Sequence, residues 1–195
     1  GYNWRFDAGL QRVKALLAEG AIGRVRWARA EFGQYLPDWR PSLDYRESYT
    51  ACRRLGGGIL LDASHEIDTI LWLLGQGAPT EVRCLAATVS DLDLDVEDCA
   101  TVLLRFADGA QADIHVDCVQ RAYTRHCRLI GERGAIHWDY PTRRVEVYRP
   151  ELGAWQSATY TQELNELYLS ELRQFLGCVE HGAAPMVDLA QARAV

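Results

Sequence analysis

The chain has 195 residues, of which 48% are hydrophobic and 25% charged. This is the composition of a folded chain with a sizeable core, one large domain or two small ones, and it excludes disorder. Lys and Arg number 21 against 27 Asp and Glu, a net charge of −6, so neither a nucleic acid nor an anionic membrane surface is an expected partner, because both need a basic face.

No apolar run approaches the roughly 20 residues of a membrane helix. Residues Gly1 to Phe6 have neither the basic nor the apolar part of a signal peptide. The six cysteines, at positions 52, 84, 99, 118, 127 and 178, include no C-x-x-C pair and no zinc-finger spacing. They read as reduced, mostly buried thiols of a cytoplasmic protein.

In chain order, Asp7 to Gly20 reads as a helix, with Leu10, Val13, Leu16 and Leu17 at helical spacing, Asp7 as N-cap and Gly20 as the stop. A strand starts after Gly23 and runs to Phe32. A loop from about Gln34 to Leu55 is rich in aromatic rings and arginines, including Tyr35, Trp39, Arg40, Tyr45, Tyr49 and Arg54. A loop of that length with several rings is a candidate binding surface, or a loop that packs its rings on the domain. The run Gly56-Gly57-Gly58 then opens one buried helix from Ile59 to Leu74 that stops at Gly75.

From about Thr80 the pattern is β. Strands are expected over 82–89, 99–106, 111–119, 125–130, 135–138, 145–148 and 155–160. Asp108-Gly109 makes the 99–106 and 111–119 segments a hairpin, and Glu132-Arg133-Gly134 turns the next pair. A second amphipathic helix runs from about Gln162 to His181, with Leu164, Leu167, Tyr168, Leu172, Phe175, Leu176 and Val179 on one stripe. Pro185 ends it, and Asp188 caps a last helix. Helices, then meandering strands, then a helix define an α+β fold: an open, mostly antiparallel sheet with helices on one face, in a single domain over residues 1–195.

The sharpest chemical cluster is Asp62, His65 and Asp68. Residues three apart on a helix lie about 60° apart, so Asp62 and His65 share a face. A carboxylate beside an imidazole orients it and raises its basicity, as a general acid/base for a hydroxyl proton requires. Two other readings stay open: a capping Asp62 with a satisfied core histidine, and a metal site formed with Asp68. Asp113, His115 and Asp117 alternate with apolar residues and read as an outer sheet face, solvated or in a subunit contact. There is no G-x-G-x-x-G, P-loop, G-x-S-x-G or H-E-x-x-H. Any nucleotide site therefore lies elsewhere.

Three segments resemble the Gfo/Idh/MocA oxidoreductases. Gly1-Tyr2-Asn3-Trp4-Arg5-Phe6 is similar to that family's G-Y-x-x-R-F, and Glu19-Gly20-Ala21-Ile22-Gly23 to its E-G-x-I-G. Residues 56–68, with Asp62, His65 and Asp68, followed by Trp72-Leu73-Leu74-Gly75, are similar to its G-G-G-x-x-x-D…H-x-x-D…W-L-x-G. Many members space the Asp and His four apart; here they are three apart.

The resemblance implies a C-terminal substrate-binding and oligomerisation domain, cut short in its last helix, of an NAD- or NADP-dependent oxidoreductase. The N-terminal Rossmann domain and its lysine would be absent from this chain, which alone would be inactive. The substrate would be a sugar, sugar acid or cyclitol, at a hydroxyl or ketone. His65 and Asp62 would be catalytic. Trp39, Arg40, Tyr45, Tyr49 and Arg54 would line the substrate. Gly57 and Gly58 would touch only the edge of the cofactor, and no metal is expected. The open sheet would hold a homodimer or homotetramer. The competing expectation is a non-catalytic binding or dimerisation module.

Overall fold

The computed structural model describes all of residues 1–195. After a 3-10 turn at Asn3–Phe6 come α1 (Ala8–Ala18) and β1 (Val25–Gly33), then α2 (Ile59–Asp62) and α3 (Ser64–Leu74). Seven strands follow: β2 (Glu81–Ala87), β3 (Cys99–Arg105), β4 (Gln111–Asp117), β5 (Thr124–Gly131), β6 (Gly134–Asp139), β7 (Arg144–Arg149) and β8 (Ala154–Thr159). The chain ends with α4 (Leu164–His181) and α5 (Leu189–Ala194).

All eight strands form one sheet in the order β2-β3-β4-β1-β5-β6-β7-β8. Every neighbouring pair is antiparallel except β1 and β4, which run parallel with Ala28 beside Ala112 and Ala30 beside Ile114. Period-two alternation gives the sheet a buried face, with Ala28, Ala30 and Phe32 on β1, Ile114 on β4, Leu129 on β5 and Trp138 on β6. α1 lies over β6 and β7, α2 over β3 and β4, and α3 over β1 and β4. Leu10, Val13 and Leu16 of α1 and Ile70 and Leu73 of α3 complete the core. Each such side chain contributes roughly 1.5–3 kcal/mol on burial.

Two buried carboxylates tie the helices down. Asp7 caps α1 by accepting from the Leu10 amide at 2.9 Å, and also accepts from Trp138 Nε1 at 3.0 Å. Asp68 on α3 takes both Nε and Nη2 of Arg5, at 2.9 and 2.6 Å.

The structure departs from the expected elements in five places. The single helix over 59–74 is two helices broken at Ala63 (φ −98°, ψ 23°), which share β4 but reach to opposite neighbours of it, α2 to β3 and α3 to β1. The loop over 34–55 is not structureless: it holds 3-10 turns at Leu36–Asp38, Tyr45–Glu47, Tyr49–Ala51 and Arg53–Leu55. Only Cys118 and Cys127 are buried; Cys52, Cys99 and Cys178 are half-buried and Cys84 is exposed, all unpaired. On α4 only Leu167 is buried, and the rest of its apolar stripe is solvent-facing because no neighbouring element covers it.

The fifth departure is on the outer face, where Asp117 is sealed rather than solvated. It accepts from the amides of Val119 and Gln120 at 2.9 Å each and from Gln120 Nε2 at 2.6 Å, with His115 Nε2 at 3.1 Å. Asp113 and His115 stay partly open there, Asp113 paired to Arg29 at 2.5 Å.

Candidate active site

The expected site residues meet where the buried sheet face, the α2–α3 break and the aromatic loop converge. A cleft of about 460 Å³ there is lined by Asp62 and His65, by Trp39, Arg40 and Tyr49 from the loop, and by Asn3, Trp4, Phe32, Gln34, Tyr123, Arg125, Tyr140, Leu164 and Tyr168. Tyr45 stands outside it, in an adjoining cleft of about 340 Å³ that shares Trp39, Arg40 and Tyr49, and its hydroxyl accepts from the Asp93 amide at 3.0 Å. Arg54 is exposed and lines neither cleft.

His65 sits in the first turn of α3, its ring edge-on to Tyr2 at 5.6 Å between centroids. Burial, with the positive charge of Arg125 adding to it, lowers its pKa to about 4. The imidazole is therefore neutral near pH 7 and accepts a proton rather than carrying one. Its Nδ1 is sealed without a partner, which leaves Nε2 as the nitrogen that the cleft can reach. Asp62 ends α2, and the Ala63 break separates it from the helix that carries His65. The two share the cleft, but no hydrogen bond joins them. Instead the Tyr49 hydroxyl faces the Asp62 carboxylate, which pushes the phenol's pKa up. Arg40 lies 5.8 Å over the Tyr49 ring.

Unpartnered polar atoms concentrate here. Asn3 Oδ1, Asp62 Oδ2 and His65 Nδ1 are buried without hydrogen-bond partners, as is Glu66 Oε2 just behind the wall. An unpaired buried polar atom costs on the order of 1–3 kcal/mol, so a cluster of them marks a place built for something other than stability. Asp68, the third member of the metal reading, is not with them. Both of its carboxylate oxygens are held by Arg5 and it does not line the cleft, so the three residues do not form one site.

The glycine run is explained within the chain. A Cβ on Gly57 would stand 2.2 Å from the Tyr49 carbonyl oxygen and 2.6 Å from that of Thr50. Gly58 has φ +117° and packs against the Glu97 carboxylate, whose Oε1 accepts from the Leu60 amide. These glycines let the aromatic loop lie directly on the start of α2, which brings Tyr49 to Asp62. The positions a Cβ would take on both glycines are filled by the chain's own atoms, so the run is accounted for by packing within the chain.

Sequence reasoning overlooked Arg125, Tyr123, Tyr140 and Asn3. Arg125 carried a readable signal: within β5 it is in phase with Cys127 and Leu129, so alternation alone puts a guanidinium on the buried face.

The family model for the GFO/IDH/MocA C-terminal domain matches residues 10–137. A myo-inositol 2-dehydrogenase of Thermotoga maritima is 30% identical over 96% of this chain and 55% of its own length. Inositol 2-dehydrogenase 3 of Saccharopolyspora erythraea is 26% identical over 94% of this chain and 51% of its own. Among solved structures, GenD2 from gentamicin A biosynthesis, in complex with NAD, is 25% identical with a TM-score of 0.79, over 100% of this chain and 57% of that one. The aldose-aldose oxidoreductase of Caulobacter crescentus, complexed with glycerol, shares the fold at a TM-score of 0.82 and 23% identity, over 99% of this chain and 58% of that one. The chain thus spans about half the length of the curated relatives it matches.

Proposed function

The chain belongs to the Gfo/Idh/MocA family of oxidoreductases, as its C-terminal domain, and from that premise we propose that it is the substrate-binding and proton-transferring part of an NAD- or NADP-dependent oxidoreductase. The substrate is a sugar, sugar acid or cyclitol, oxidised at a hydroxyl or reduced at the ketone. Relatives named as inositol dehydrogenases support that class.

The observation that carries the reading is a neutral imidazole set beside unpartnered acceptors in one cleft. A neutral His65 takes the hydroxyl proton at Nε2 as the alcohol becomes a carbonyl, and returns it in the reverse direction. Asp62 and Asn3 accept hydrogen bonds from neighbouring substrate hydroxyls. Trp39 and Tyr49 offer ring faces to the sugar's C–H surface, and Arg40 adds donors at the rim. Tyr45 and Arg54 take no direct contact in this scheme. The hydride acceptor is a nicotinamide, which we assign to the part of the relatives' length that this chain does not span. The setting we propose is the cytoplasm, in keeping with six unpaired thiols.

The test is His65→Ala in the enzyme that carries this chain. Turnover should fall by roughly two to four orders of magnitude. Turnover within a few-fold of wild type would reject the proton-transfer role and leave the binding-module reading standing.

A further inference from the structure

The molecule contains two buried arginine–carboxylate pairs, and they are built differently. Arg5 is complete: Nε and Nη2 take both oxygens of Asp68, and Nη1 donates to the Met186 carbonyl at 2.9 Å and to Gln191 Oε1 at 2.6 Å. Every nitrogen is used, as in a purely structural bridge. Arg125 is only 7% exposed, yet it gives Glu66 a single bond, Nε to Oε1 at 2.7 Å, and Glu66 Oε2 is left without a partner. Its guanidinium is clamped between rings, 4.1 Å from the centroid of Trp4 and 4.4 Å from that of Phe32, with the Tyr123 hydroxyl flanking it. A planar cation fixed in this way, held at one edge and lining the cleft, is pre-organised to bind two oxygens with its other edge.

Chemically the cleft then carries groups of two kinds. Asn3, Asp62 and His65 line it with acceptors, which suit hydroxyl donors. Arg125, with Arg40 at the rim, presents cationic donors, which suit an anion. A neutral polyol satisfies only the first kind. We propose that Arg125 is a specificity-determining residue that takes the carboxylate of an acidic sugar, a uronic or aldonic acid, whose hydroxyls meet the acceptor wall. The inference rests on the proposed oxidoreductase reading and names its substrate class.

The test compares acids with their own esters. Calorimetric binding of D-glucuronate and D-galacturonate to the enzyme that carries this chain is set against their methyl esters and myo-inositol. At least one acid should bind about tenfold or more tightly than its ester, the usual scale of one charge-assisted pair. Arg125→Met alone strands Glu66 in the interior, so the paired variant Arg125→Met/Glu66→Gln is used, and it should bring the acid-to-ester ratio close to one. Arg125→Lys, which keeps the charge and loses the fork, should recover only part of the preference. Acids that bind no better than their esters, no binding of either, or a preference that persists in the paired variant would overturn the assignment. A clear acid preference with no reduced cofactor formed in turnover assays would uphold it and count against the oxidoreductase reading instead.

Discussion

His65 shows how one side chain can favour function at the expense of stability. In the unfolded chain its pKa returns to about 6.5, whereas burial and Arg125 hold it at about 4 in the fold. Between those values the unfolded state binds a proton that the folded state refuses. Stability therefore falls as the pH drops from about 6.5, and the loss is complete below about 4. His126, also lowered by burial, adds a slope of the same sign. Replacing His65 with Gln removes one of the two, so the melting temperature of that variant should depend less steeply on pH across this window. Thermal unfolding of both proteins from pH 7 to pH 4 checks it, and parallel curves would refute it.

At the scale of elements, Asp7 is where helix and sheet are joined. One carboxylate caps α1 at the Leu10 amide, accepts from Trp138 Nε1 on β6 and lies against the Tyr160 hydroxyl at 3.2 Å. Asp7→Ala loses the cap and deprives the Tyr160 hydroxyl of its acceptor, while Trp138 Nε1 keeps the Tyr160 oxygen at 2.8 Å, at a cost of about 1–3 kcal/mol. Asp7→Asn, which keeps an acceptor, should cost visibly less. Urea unfolding midpoints measure both, and an alanine variant as stable as wild type would show that the junction is held elsewhere.

The cap itself is readable from sequence, as are all eight strands to within a few residues, because local chemistry and period-two alternation fix them. The Ala63 break is not readable. Nothing in Asp62-Ala63-Ser64 disfavours helix, and the bend follows from which strands α2 and α3 pack against. Likewise Asp68 reads as a site residue until Arg5, 63 positions away, is seen to hold it. The Asp62–His65 pairing is legible as a shared cleft but not as a hydrogen bond, since the bend re-aims one helix against the other.

For the whole molecule, we propose that copies meet through the open face of the sheet. It carries Trp27 and Ile130, half-buried, among ion pairs such as Arg29–Asp113 and histidines at 115, 126 and 137. We propose a homodimer or homotetramer through this face, with apolar centres and charged rims meeting their own copies. Light scattering coupled to size-exclusion chromatography should give two or four times the monomer mass; a single monomeric peak at micromolar concentration would rule the assembly out.

The place of β1 in the sheet bears on the order of folding. It comes first among the strands of this sheet and sits in the middle, with Arg29 bonded to Asp113 across 84 positions. On either side of it the strands form simple meanders, β2 to β4 and β5 to β8, whose partners are close in the chain. Each meander can zip locally soon after it leaves the ribosome, whereas β1 has no partner strand until β4 has been made. Closing that long loop is the slow, high-contact-order step, and until it happens a strand with two unsatisfied edges is the segment most open to chaperones and to mispairing.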